Sequence, residues 1–332
     1  MSLNLLTDIP GIRLGHAGDV KGLRSGVTVV LFEPRATAAV SILGGSPASR
    51  ETSLLDLENT VDQIHAVVLS GGSTYGLDAT SGVQAALRED FAKLPPLPVP
   101  RIPIVVQASL YDLRNGGDKD WGRFSPYAEF GYQAARAAQS GAFALGSVGA
   151  GIGATTSTLK GGLGSASMVT PQGHTVAALI AVNAVGTPVV GTGPHFWAAP
   201  FEQGHEFGGR GLPAAFTADD LRLRIKSRGW AGTTIGLVAT DATLTPMQVK
   251  RLAILAQDGM ARAVLPAHLP QDGDTIFGIS THARPLGDEQ DALAELCLAA
   301  TQVTARAIAR AVYEASYFDL PGELVSWRHL FG

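Results

Sequence analysis

One cysteine in 332 residues is the first thing this chain lacks. A single thiol excludes an intrachain disulfide framework and any zinc site built on cysteine pairs. Charge is also scarce: Asp, Glu, Lys and Arg make up 16% of the chain, against about a quarter in an average soluble domain. The 25 basic and 29 acidic residues leave a net charge of −4, and no run of lysine or arginine forms a basic stripe. Nucleic acid is therefore excluded as a partner. The histidines at 16, 65, 174, 195, 205, 268, 282 and 329 show no HxxxH or HExxH spacing, so a zinc hydrolase has no support. The start, "MSLNLLTDIPGIRLGH", has no charged segment leading into an apolar run, so no secretory signal is expected. Apolar runs such as "TVAALIAVNAVG" are too short and too polar to span a bilayer. The expectation is a cytoplasmic protein with no metal, no cofactor and no membrane partner.

Glycine and apolar residues, by contrast, are abundant. There are 40 glycines and 19 prolines, and 45% of the chain is hydrophobic. A chain of this length can bury a large core, and the low charge suggests further surface hidden in a homo-oligomer. Cys297 lies in the helical pattern "DALAELCLAATQVTARAIARAV" and reads as a small buried hydrophobe.

Short valine- and isoleucine-rich runs bounded by Gly, Pro or Asp predict strands at 26–32, 38–43, 65–70, 102–109, 175–186, 233–241 and 274–281. Helical patterns fall at 75–90, 127–139, 245–264 and from Gln290 to about Ala315. The third opens Thr245-Pro246, an N-cap followed by proline at the first helical position. Several strands follow one another without an intervening helix, which predicts an α+β layered body. The stretch from Gly191 to Gly232 is long, glycine-rich and mixed in polarity, with a short helix expected at Asp219–Lys226. Loops of this length inside a domain are usually functional or mobile, and this one is expected to shape a cleft.

That loop ends in "GWAGTTIGLVATD", residues 229–241. One reading is a loop entering a strand edge. The other is a cut between Gly232 and Thr233, which would give Thr233 a free amine. An α-amine has an ordinary pKa of about 7.7–8.0, so it can take the proton of its own hydroxyl near neutrality. Downstream, "PQDGDTIFGIST" places Asp272 and Asp274 around a glycine. They read either as a turn feeding a strand or as carboxylates beside a cationic amine. The glycine-rich blocks at 146–167, which carries Lys160, and at 69–79 match neither the P-loop order nor a strand–GxGxxG–helix unit. Ser73 lacks the GxSxG elbow of an α/β-hydrolase.

Taken together and in order, "LTDIPGIRLGHAGD", "GGSPASRETSLLD", "HAVVLSGGSTYGLDATSGV", "GAGIGATT", "LKGGLGSAS", "AVNAVG", "GTTIGLVATDATLT" and "DGDTIF" resemble the DmpA-type N-terminal-nucleophile hydrolases. That family includes L-aminopeptidase D-amidase/D-esterases, β-peptidyl aminopeptidases and the endo-type nylon-oligomer hydrolase. The resemblance spans about Leu5 to Tyr317. It implies a four-layer αββα sandwich, formed by a single catalytic domain over 1–332 that cleaves itself into an α-chain, 1–232, and a β-chain, 233–332. It further implies autocleavage between Gly232 and Thr233, with Thr233 as nucleophile. Asn183 would be an oxyanion donor, a kind of group whose loss costs about 2.7–4 kcal/mol in barrier height. Tyr111 would line the substrate pocket, and Asp272 and Asp274 would orient the ammonium and the hydroxyl. The family lysine falls where this chain has Thr158, so Lys160, two residues on, is expected to serve instead. Members assemble as tetramers or larger. The expected activity is an aminopeptidase acting on small peptides, amides or esters. The alternatives are an endo-type amidase acting on oligoamides such as 6-aminohexanoate oligomers, and an uncut metabolite- or nucleotide-binding protein.

Overall fold

The computed structural model of the chain describes residues 2–95, 97, 99–226 and 231–332. Nine strands and six helices are defined among them: β1 Ile12–Asp19, β2 Ser25–Ile42, β3 Ala48–Arg50, β4 Gln63–Ser70, α1 Ser73–Gly76, α2 Ala79–Ala92, β5 Val105–Ser109, α3 Tyr127–Arg136, β6 Gly162–Val169, β7 Thr175–Asn183, β8 Thr233–Ala242, α4 Pro246–Ala261, β9 Thr275–Arg284, α5 Glu289–Tyr313 and α6 Trp327–Phe331.

Alternation along β2 shows how they layer. Val27, Val29 and Leu31 point into one apolar cluster, and Val30 and Phe32 into another, as the two-residue period of a strand requires. The 18-residue β2 is shared by two sheet halves. Its first half pairs with β1 and β4, and its second half with β9. The full order is β3-β5-β4-β2-β9-β8-β7-β6 with β1 on β2. On the far half the same alternation recurs: Ile235, Leu237 and Ala239 of β8 face the central cluster, while Val238 and Ala242 face the cluster under α4 and α5. Three cores therefore separate four layers. Helices α2 and α3 cover one sheet half, the two halves face each other over the central core, and α4 and α5 cover the other. This is the αββα sandwich expected.

Some local expectations change. The apolar runs at 26–32 and 38–43 are one strand, continuous through a register shift between Leu31 and Ala36. Strand β6 lies inside the glycine-rich block that reads as a loop in sequence. Its glycines make room for a helix: a Cβ at Gly164 would stand 2.0 Å from the Ala307 carbonyl oxygen on α5. Asp219–Lys226 is not a helix; the chain makes a turn at 218–221 and runs on irregularly. The tryptophan-bearing end of that loop, 227–230, lies outside the described residues. Helix α4 starts as expected, with the Thr245 and Gln248 side chains capping each other's backbone N–H. Residues 290–313 of α5 are long and apolar enough to cross a membrane by length and composition, yet 67% of its apolar 18-residue window is buried in the protein, where the helix packs on β6, β7 and α4.

The helix–strand contact at Gly164 gives a direct test. Gly164→Ala should destabilise the protein by about 1–3 kcal/mol, the usual cost of overpacking a fitted core, read as a lower urea midpoint. An unchanged midpoint would mean that α5 does not sit this close to β6.

Candidate active site

The antiparallel register of β7 and β8 sets Asn183 directly opposite Thr233. On the other side of β8, the Asp272-Gly273-Asp274 turn leads into β9, and Gly232 forms a bridge to Asp272. Three segments distant in sequence thus meet at one end of the central strands. Thr233, Asn183, Asp272 and Asp274 are all buried, with Thr233 only 4% exposed.

The Gly232 carbonyl is the focus of the arrangement. Its oxygen accepts a hydrogen bond from the Thr233 hydroxyl at 2.5 Å and another from Gly273 N–H at 3.1 Å. Two donors on one carbonyl draw electron density toward the oxygen and make its carbon more electrophilic. Glycine is the residue that fits here, because a Cβ at position 232 would stand 2.3 Å from the Val185 nitrogen.

The Asn183 side chain is held by four hydrogen bonds. Its Oδ1 accepts from Lys226 Nζ at 2.9 Å, Thr155 N–H at 3.0 Å and Asn115 Nδ2 at 3.1 Å. Its Nδ2 donates to the Tyr111 carbonyl at 2.8 Å. A flipped amide would face three donors with its own NH2, so the orientation is fixed by the network. One Nδ2–H goes to Tyr111, and no described residue accepts the other. Tyr111 itself is half-buried; it joins the site through its main chain, and its hydroxyl has no hydrogen bond to a described residue.

The two aspartates are held by the backbone. Asp272 accepts from Val185 N–H at 3.2 Å and Leu269 N–H at 2.9 Å. Asp274 accepts from Thr234 N–H at 2.8 Å and, on its other oxygen, from His268 N–H at 3.0 Å. His268 Nδ1 lies 2.9 Å from that same oxygen. Each carboxylate oxygen has further lone pairs, so these contacts position the groups without exhausting them. Burial first, then the neighbouring Asp274 charge, pushes the Asp272 carboxyl up to about 6. Burial lowers the His268 pKa, but the hydrogen bond and charge of Asp274 outweigh it and the pKa is raised.

Lys226 was not anticipated from the sequence. Its side chain is buried, and its amine donates to both the main-chain oxygen (3.0 Å) and Oδ1 (2.9 Å) of Asn183. Burial pulls its pKa down to about 7, against the opposing pull of the Asp272 and Asp112 charges. Lys160, expected in this role, is elsewhere. Its amine pairs with Glu323 at 2.9 Å, with both side chains under 10% exposed, and contacts the Ile152 carbonyl oxygen at 3.3 Å. It ties the C-terminal segment to the sheet, and its own N–H donates to the Val325 carbonyl. Among the described residues, no group of three or more His, Cys, Asp or Glu is arranged to hold a metal ion.

An αββα sandwich of this kind is found in solved structures of the N-terminal-nucleophile hydrolase fold. The solved L-aminopeptidase D-Ala-esterase/amidase of Ochrobactrum anthropi, described as a variant of that fold, superposes with a TM-score of 0.72. The match covers 98% of this chain and 92% of that one at 22% identity. A Burkholderia sp. β-aminopeptidase superposes at 0.69 over 98% of this chain and 90% of its own, at 23% identity. In sequence, residues 4–323 match the model of peptidase family S58. An uncharacterized aminopeptidase of Mycobacterium leprae is 40% identical over 94% of this chain and 91% of its own. A 6-aminohexanoate-oligomer endohydrolase of Paenarthrobacter ureafaciens is 27% identical over 82% of this chain and 74% of its own. The chain belongs to peptidase family S58, and it is a hydrolase of peptide or amide bonds.

The separate placement of Lys160 has a measurable consequence. Lys160→Met leaves Glu323 buried without its partner, which should cost about 3–5 kcal/mol of stability and appear as a lower melting temperature. A melting temperature within a degree of the unaltered protein would show that the ion pair contributes nothing.

Proposed function

We propose that this hydrolase is made by self-cleavage at Gly232–Thr233 and then acts as an aminopeptidase on small peptides, amides or esters. The supporting observation is the Thr233 hydroxyl resting 2.5 Å from the oxygen of the carbonyl it would attack, which a second donor from Gly273 also engages. In self-cleavage, Thr233 Oγ1 bonds to the Gly232 carbonyl carbon, and the hydroxyl proton passes to the Thr233 nitrogen as the C–N bond breaks. The resulting ester is opened by water, leaving Gly232 with a carboxylate and Thr233 with a free amine. That amine then serves as base for the hydroxyl in each turnover. Thr233 Oγ1 attacks the substrate carbonyl, the amine hands the proton to the leaving nitrogen, and water releases the acyl group. Asn183 Nδ2 supplies an oxyanion donor through its unassigned hydrogen. Asp272 and Asp274 hold the turn beside the new amine and stabilise its ammonium form.

The aminopeptidase reading follows the more similar relatives, which carry that name at 40% identity. An endo-acting amidase is the second reading, supported by the endohydrolases at 26–27% identity. Assembly of the cut αβ units into a homo-oligomer belongs to the same proposal and is supported by the low charge of the sequence.

Thr233→Ala should remain one 34.4 kDa chain and hydrolyse nothing, whereas the unaltered protein should release a fragment beginning Thr-Thr-Ile-Gly-Leu. Intact mass and N-terminal sequencing decide this, and hydrolysis by Thr233→Ala would overturn the assignment. Comparing a free-amine amide with its N-acetyl counterpart separates the two readings, since only the endo-acting enzyme should accept both.

A further inference from the structure

We propose that Lys226 is the positioning residue of the oxyanion donor: seated on Asn183, its amine fixes the side-chain amide and, when protonated, polarises it so that the remaining Nδ2–H becomes a stronger donor. The proposal rests on the preceding reading of Thr233 and Asn183 and deepens it.

Lys226 Nζ reaches two acceptors on one residue, Asn183 O and Oδ1. Its own backbone is pinned by Lys226 N–H donating to the Val185 carbonyl at 3.0 Å. A lysine used only to fill space would be an expensive choice at 5% exposure, because a buried ammonium must find compensating partners. Here those partners converge on the amide that faces Thr233 across the β7–β8 pair. A cation on the oxygen of an amide strengthens donation from its nitrogen, as linked hydrogen bonds polarise one another in a low-dielectric site.

The charged groups around the amine set when it acts. Asp272, from the turn before β9, and Asp112, from the loop after β5, both attract it. Behind Asp272 stands Asp274 with His268, and behind Asp112 stands Lys119. Burial outweighs the carboxylates, and Lys226 titrates near 7. Its protonated form is present below that pH and lost above it. In the uncut chain Thr233 has no free amine to titrate, so with Asn183 Nδ2 proposed to donate also to the Gly232 oxygen as its negative charge forms, polarisation by Lys226 should make self-cleavage slow down as pH rises through about 7.

The test compares the rate of self-cleavage, followed by intact mass from pH 5 to 9, in the unaltered chain, in Lys226→Met and in Lys226→Gln. Both variants should cut about a hundredfold more slowly, a loss on the scale of one oxyanion donor, and without the fall near pH 7. Hydrolysis by any matured enzyme should lose kcat with little change in KM. Lys226→Cys alkylated with 2-bromoethylamine should recover both rate and pH dependence, which a purely structural role would not predict. Cleavage of Lys226→Met at the unaltered rate, or with the same fall, overturns the proposal and leaves the role of Thr233 intact. If the unaltered chain never cuts, the reading of Thr233 fails instead. In that case, and also if the variants do not fold, NMR of the uncut Thr233→Ala chain tests Lys226 directly. The Asn183 Nδ2 resonance should move with the Lys226 titration, and a resonance that stays still while Lys226 titrates overturns the proposal.

Discussion

The pairing of Asn183 with Thr233 across β7 and β8 is the constraint on which the site depends. Side chains alternate faces along a strand, so a slip of one residue would turn Asn183 away and bury its neighbour in its place. Nothing local prevents that slip. The register is held because Ala177, Leu179 and Ala181 must face the central core while Val176, Ala178, Ile180 and Val182 face α4 and α5. The energy that fixes the geometry of this candidate site is therefore mostly hydrophobic and lies on both faces of β7. At roughly 25 cal/mol per Å² of apolar surface, the strand's seven buried aliphatic residues far outweigh any single hydrogen bond of about 1 kcal/mol at its end.

Within that frame the polar groups form a balanced cluster. Asp272, Asp274 and Asp112 are buried beside Lys226, His268 and Lys119. All four carboxylate oxygens in the turn accept main-chain N–H groups, which fixes the turn as firmly as it stabilises charge. Lys226 is the counterweight. Burial lowers its pKa despite two carboxylates, a net bias on the order of 5 kcal/mol toward the neutral amine. Its backbone is tied to Val185, which holds the residue beside Asn183.

Much of this was legible in the residues. Short valine- and isoleucine-rich runs mark β4, β7, β8 and β9, and the Thr245-Pro246 cap marks the start of α4. The ordered blocks around Gly232, Asn183 and Asp272 carry the family resemblance, and the structure gathers those residues at one strand end. What stayed hidden has physical reasons. Strand β6 is obscured because its glycines, chosen for the approach of α5, look like loop residues. Lys226 is obscured because it ends the stretch Asp219–Lys226, which reads as a short helix in a long loop; only the tertiary contact with Asn183 marks it out. Lys160 stands two residues from the family lysine's place, yet its partner, Glu323, lies 163 residues away and could not be inferred from spacing.

The position of Lys226 along the chain also bears on how the proposed self-cleavage and turnover would share one site. It lies seven residues before Thr233, on the segment that the cut would separate from the nucleophile. Were the lysine held only by its connection to Thr233, self-cleavage would release it, and the mature site would differ from the one that made it. Its hydrogen bonds run instead to Val185 and Asn183, both on the same side of the cut. Breaking the Gly232–Thr233 bond removes none of them. On the proposed mechanism, Asn183 would therefore keep its geometry through the cut, while the Thr233 hydroxyl would gain a free amine beside it and the Gly232 carboxylate would be free to leave.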